Sequence, residues 1–190
     1  MLNDSVFASD KVFTLPDLEI EAIAVDFLNS GITASGAPKE RLGNGEDLLS
    51  WLKGYGLICG NVASRLRSGT LPGELDIVTA QARDLRAWFR KILTDLVGRP
   101  PSPEDLEVLA PIVDLLGRDE LYLYIGPQNY AESEIGKPTL QLTRRRRWRT
   151  PDSLLLPLAE VMARLITSEA FARLRLSQEQ YGLVYELAPA

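Results

Sequence analysis

From Glu74 to Val97 the apolar residues Val78, Ala82, Leu85, Phe89, Ile92 and Leu96 recur in alternating steps of three and four, the spacing of one stripe along an α-helix. A helix this long with a single apolar face must be covered by other elements, so a mainly helical core is expected. Gly98 and the Pro100-Pro101 break end it. The cover has to come from burial alone. The 190 residues include one cysteine and no histidine, so neither an internal disulfide nor a four-ligand Cys/His zinc site can staple the fold. The same absence excludes Ser, Cys or Thr nucleophiles activated by histidine. At 45% hydrophobic and 25% charged, the chain suits one soluble globular domain with at most a small appendage. Single-thiol usage fits a reducing cytoplasm, which is the expected location.

The remaining elements follow from period and punctuation. Residues Glu19 to Ser30 carry Ile20, Ile23, Ala24, Phe27 and Leu28 at helical spacing and stop before Gly31. Gly31 to Gly45 reads as a loop. Leu48, Leu49 and Leu52 predict a helix over Glu46 to Tyr55, and a short one follows at Val62 to Leu66 with Asn61 as its N-cap. Pro103, Glu104 and Asp105 predict a helix start that runs to about Leu116. Val12 and Phe13 suggest a short strand, while Leu121 to Ile125 and Thr139 to Thr143 read as strands of a small antiparallel sheet. Asp152 to Thr167 returns to helix with Leu154, Leu158, Val161, Met162 and Leu165 inward, and Ser168 to Leu174 continues it after a kink or cap. Tyr181 to Leu187 forms a final strand. The fold class is α+β, predominantly helical. No window of about 18 apolar residues and no signal peptide is present, so neither a membrane span nor secretion is expected.

Charge is unevenly spread. The net charge is −5, yet residues 137–149 hold Lys137, Arg144, Arg145, Arg146, Arg147 and Arg149 without an acid, which leaves the rest of the chain at −11. Five guanidiniums around Trp148 suit a phosphate backbone with a ring to stack on a base. The plainer reading is that the arginines coat the sheet and pair with the acidic remainder. On a strand, alternate arginines face opposite ways, so about half of them reach any one ligand.

Asp26 and Asn29 lie three apart on the first helix and share a face. They could hold a polar ligand or an oxygen-bound metal, although two such residues define no metal. Alternatively they satisfy backbone groups of the adjacent loop. Cys59-Gly60-Asn61 has no partner cysteine, which leaves Cys59 as a small, weakly polar packing residue. Glycines 54, 56 and 60 lack the setting of a nucleotide loop. No metal site and no cofactor is expected.

Several blocks together resemble a known family. They are Val25-Asp26-Phe27-Leu28-Asn29-Ser30, Leu48-Leu49-Ser50-Trp51-Leu52 with Gly56-Leu57-Ile58, Arg83-Asp84-Leu85-Arg86, and Leu156-Pro157-Leu158-Ala159 through Leu165-Ile166-Thr167-Ser168 to Ala172-Arg173-Leu174. This pattern is similar to the ABATE-domain family of putative stress-induced transcription regulators, usually finished by a CGNR zinc finger. The resemblance implies an ABATE-like domain over residues 1–175 and a degenerate, cysteine-free remnant of the finger over 176–190. Leu176 and Tyr181 then stand where the family has its first two zinc cysteines, with Gly182 and Tyr185 at its Gly and Phe. The resemblance therefore implies a regulatory or ligand-sensing protein, not an enzyme, that lacks the zinc-bound DNA reader. Asp26, Asn29, Trp51 and Arg86 are the candidate ligand-binding residues, with Arg86 clamping an anionic group and Trp51 a stacking wall. The alternative is salt-sensitive nucleic-acid binding through Arg144, Arg145, Arg146, Arg147, Trp148 and Arg149. A homodimer through the edge of the C-terminal strand is a further expectation.

Overall fold

A computed structural model describes residues 17–33, 37–99, 101–127, 140–179 and 182–188. Among these residues the order is α1 (Asp17–Leu28), α2 (Gly45–Gly54), α3 (Gly60–Gly69), α4 (Glu74–Leu96), α5 (Ala110–Gly117), β1 (Leu121–Pro127), β2 (Leu140–Arg146), α6 (Leu155–Thr167), β3 (Leu174–Glu179) and β4 (Gly182–Leu187). The proposed strand at Val12 and Phe13 lies outside the described residues.

The helical core is organised by α6, which packs against α1, α4 and α5. Its sequence explains the position. Leu155, Leu156, Leu158, Ala159, Val161, Met162, Leu165 and Ile166 are all buried, and a helix that is apolar nearly all round belongs in the middle. Pro157 sits in the first turn, where no intrahelical N–H is needed. On α4 the predicted stripe is buried at Val78, Ala82, Phe89 and Leu96. Leu93 joins it, while Leu85 and Ile92 flank the core half-buried. The helix begins after Gly73 and ends two residues before Gly98, both at positive φ, a conformation that favours glycine. α1 buries all five of its predicted apolar residues.

Three local readings need correction. A single helix from Pro103 to Leu116 does not form. A 3₁₀ turn, Pro103–Leu106, is followed by α5 from Ala110, because Pro111 has no N–H to give Glu107 and would break a continuous ladder. The N-cap of α3 is Cys59, whose Sγ accepts the Val62 N–H at 3.5 Å, so Asn61 falls inside the first turn. Ser168 to Leu174 is not a continued helix either. A 3₁₀ turn, Glu169–Arg173, leads straight into β3.

The strands form two separate antiparallel hairpins rather than one sheet. In the first, Tyr122 faces Arg145 and Leu123 faces Arg144. In the second, Leu176 faces Tyr185 and Leu174 faces Leu187. Tyr185 is fully buried in the main core, and Leu176 and Leu187 pack against that core. The C-terminal hairpin is thus seated by its side chains on the helical body, with an aliphatic residue at position 176.

Candidate functional site

The C-terminal end of α1 is where the polar residues gather. Residues 40 and 41 of the loop between α1 and α2 reach two different helices. Glu40 meets Arg86 of α4, and Arg41 meets Asp26 of α1. Arg86 is almost wholly buried. Its Nη1 donates to Ser30 Oγ and to Glu40 Oε1 (3.0 Å), and its Nη2 donates to Glu40 Oε2, which makes a two-point clamp on a carboxylate. The Glu40 side chain remains one-third exposed, so the clamp opens at the surface. Gly31 lies directly under it, since a Cβ there would stand 2.9 Å from Arg86 Nη2.

Asp26 is filled from three sides. Arg41 Nη2 donates to Oδ1 at 2.8 Å, the Trp51 indole N–H donates to Oδ2 at 2.9 Å, and the Tyr55 hydroxyl donates as well. Burial pushes the Asp26 carboxyl up, but these hydrogen bonds and the Arg41 charge outweigh it and hold the group below the usual aspartate range. Burial and the neighbouring Asp26 push the Tyr55 phenol up to about 12. Burial also opposes ionisation of Glu40, whereas hydrogen bonds from Arg86 and the Leu42 N–H, with the charges of Arg86 and Arg83, hold it low. Arg83 donates to the carbonyls of Leu42 and Gly43 at 3.0 and 3.1 Å, and Arg90 caps α1 by donating to Leu28 O at 2.8 Å.

Asn29 serves a different element. Its Nδ2 donates to Tyr185 O at 2.8 Å and its Oδ1 accepts the Tyr185 N–H at 3.1 Å. The four candidate residues therefore divide among three contacts. Asp26 and Trp51 meet each other, Arg86 holds Glu40, and Asn29 holds β4. Glu40, Arg41, Ser30 and Tyr55 complete these contacts and were not marked in the sequence. Their partners lie far away along the chain, so no local pattern distinguishes them.

The arginine run is split by the pleat. Arg145 stacks over Tyr124 at 3.6 Å and Arg147 over Tyr122 at 4.9 Å, forming a ladder on one face of the first hairpin. Arg146 points into the body, where it pairs with Asp119 (2.7 Å) and Glu160 (2.8 Å) and lies over the Trp148 ring. Burial would discharge Arg146, but these two carboxylates outweigh it and raise its pKa. Arg149 makes a two-point pair with Glu120, and Trp148 is half-buried against the core. Arg144 is exposed on the opposite face, beside Leu121, Leu123, Ile125, Leu140 and Leu142, all of which are exposed.

Among the described residues no group of three or more His, Cys, Asp or Glu is placed to hold a metal, and no helix is long and apolar enough to cross a membrane. The family model that matches the chain is ABATE, described as a putative stress-induced transcription regulator, over residues 21–169. No curated protein and no solved structure matches the chain. The matched span contains the whole α1, loop and α4 network and both strands of the first hairpin, and it ends before β3.

Proposed function

Because the chain belongs to the ABATE family, whose description is that of a regulator, we propose that it is a non-catalytic regulatory protein that responds to a small anionic ligand at Arg86. The observation that carries this reading is the two-point clamp of a nearly buried guanidinium on the carboxylate of Glu40, a residue of a surface loop. The chain's own carboxylate occupies a place that a ligand carboxylate or phosphate fits. An anion that displaces Glu40 releases that side chain from α4, while Arg83 keeps its hold on the Leu42 and Gly43 carbonyls, and the Arg41–Asp26 contact on the neighbouring residue loosens with it. Binding is thereby converted into a rearrangement of the loop that joins α1 to α2. Thermal shift with acetate, phosphate and small dicarboxylates tests this. Glu40→Gln should increase stabilisation by at least one of these anions, and Arg86→Lys should abolish the response. Equal responses of wild type and both variants to every anion would refute the clamp.

A second reading is favoured by the Tyr–Arg ladder. Arg145 and Arg147 present guanidiniums already flattened on Tyr124 and Tyr122. Arg147 and Arg149 also line a cavity of about 230 Å³ with Arg118. Such a face suits contact with phosphates, independent of sequence. Of the run, Arg146 is committed to Asp119 and Glu160, and Arg147 and Arg149 share Glu120, so two or three phosphates are the most this face neutralises. The slope of log affinity against log salt should be about −2 to −3 on duplex DNA. Binding that ignores salt, or that survives replacement of both Arg145 and Arg147, would rule it out.

A further inference from the structure

Six buried polar or charged residues stand out among the described residues, and five have clear partners. Ser30 donates to Phe27 O at the end of α1 and Thr79 to Leu75 O within α4, Arg86 holds Glu40, Asp105 pairs with Arg99, and Ser153 accepts the Thr150 N–H. Glu21 is the exception. It is 8% exposed, and its Oε2 has no hydrogen-bond partner. A carboxylate oxygen placed so deeply without a donor is costly, and native structures seldom leave one so.

Glu21 faces a cleft of about 570 Å³ between the first turns of α1, the end of α6 with its following 3₁₀ turn, and the end of β4. That volume falls within the range of small-molecule sites. With it stand Arg164, already shared with Glu160, and Arg173, which among the described residues makes one side-chain donation, to Ala188 O at 3.2 Å. Arg173 therefore has donors to spare. Ile20, Ala170 and Leu187 give the cleft an aliphatic wall. An unpartnered acceptor, a guanidinium with spare donors and an apolar wall together call for a ligand that carries a cation, an anion and an aliphatic part.

We propose that this cleft binds an amino acid or short peptide, with Glu21 receiving its ammonium group, Arg173 its carboxylate, and the aliphatic wall its side chain. The site goes beyond the Arg86 clamp and is separate from it, since Glu21 and Ser30 lie at opposite ends of α1. The ligand supplies the hydrogen bond that Glu21 lacks, and a carboxylate selected by Arg173 distinguishes it from a simple amine.

Titration calorimetry with L-leucine and alanyl-leucine, beside the matched amine isoamylamine and the matched acid isocaproate, tests the assignment. At least one of the two zwitterions should bind, and each single-charge analogue should bind about tenfold more weakly or worse. Glu21→Gln should weaken the zwitterion and isoamylamine about tenfold without changing isocaproate, and Arg173→Gln should weaken the zwitterion and isocaproate about tenfold without changing isoamylamine. The anion response assigned to Arg86 should persist in Glu21→Gln, so failure of one site is separable from failure of the other. Without ligand, Glu21→Leu should raise Tm by a few °C, because it removes a buried carboxylate oxygen that has no donor. No binding by either zwitterion, equal binding of the analogues, unchanged binding in Glu21→Gln, or a lowered Tm in Glu21→Leu would each overturn the proposal.

Discussion

Asn29 offers the sharpest test of how the C-terminal hairpin is held. In the antiparallel register of β3 and β4, Tyr185 lies opposite Leu176, and the Ala188 N–H donates to Arg173 O three residues further on. Alternation along such a ladder makes Leu176–Tyr185 a pair without hydrogen bonds to each other, so the Tyr185 N–H and C=O point to the outer edge of β4. There the Asn29 side chain takes both, as a neighbouring strand would. This also covers, at Tyr185, the edge through which a homodimer was expected. Asn29→Ala leaves a donor and an acceptor unpaired beside a residue that is 1% exposed. At about 1–3 kcal/mol for each buried group left unpaired, and with some water reaching the edge, the expected loss is about 3 kcal/mol. For a chain of this size that lowers Tm by about 6–12 °C. Asn29→Asp keeps the acceptor but sets a carboxylate oxygen against Tyr185 O, so at neutral pH it should be at least as unstable as the alanine variant. Its folded-state pKa is then raised. The penalty relative to Asn29→Ala should shrink as pH falls through that raised value, because the protonated acid regains a donor. Urea unfolding gives the free energies, and hydrogen exchange at the Tyr185 amide locates the opening. An alanine variant within about 0.5 kcal/mol of wild type, or an aspartate variant equal to wild type at pH 7, would refute this account.

Two further perturbations test the other polar contacts. Asp26 and Glu40 have folded pKa values held below their ordinary ones, so their contribution is complete above about pH 5 and is lost as pH falls through the depressed values. Asp26→Asn with Glu40→Gln should therefore flatten the acid limb of a stability–pH curve measured in urea, and an unchanged slope would show that these pairs add nothing. Asp119→Asn removes one of two carboxylates from Arg146, whose side chain is 9% exposed, and should cost about 3 kcal/mol. A loss below about 0.5 kcal/mol in chemical denaturation would mean that Glu160 alone is a sufficient partner.

The helices were legible because their signal is local. The stripes of α1, α4 and α6 are written at intervals of three and four residues, and the core they predict is the core that forms. Alternation gave β1 and β2 as strands for the same reason. It did not say where they would lie, however. Leu123 and Ile125 are 67% and 66% exposed, because the hairpin is joined to the body mainly at its base, through Arg146, and among the described residues no helix covers its aliphatic face. The strand β3 escaped notice although Leu174 and Leu176 alternate with polar residues. The repeat is only two steps long and follows a segment, Glu169–Arg173, that suits a helix equally well.

The polar contacts were legible by half. Asp26, Asn29, Trp51 and Arg86 stand out because each interrupts an apolar block, and the structure engages all four. What they engage is set by residues 15 to 156 positions away, which no local pattern encodes. The distance bears directly on function. A polar residue inside an apolar block signals either a ligand contact or an internal one, and only the identity of the partner separates them. Asn29 meets the outer edge of β4, which among the described residues has no other strand to pair with, and that is a structural task. Arg86 meets a side chain on a surface loop, and a contact that a loop can surrender is one that a ligand can replace. Glu21 meets nothing at Oε2. It lies beside Ile20 on the border of the α1 stripe, where a carboxylate can be taken for the ordinary exposed flank of an amphipathic helix. Only its burial at the wall of the cleft between α1, α6 and β4 turns that unremarkable letter into an acceptor that still needs a donor.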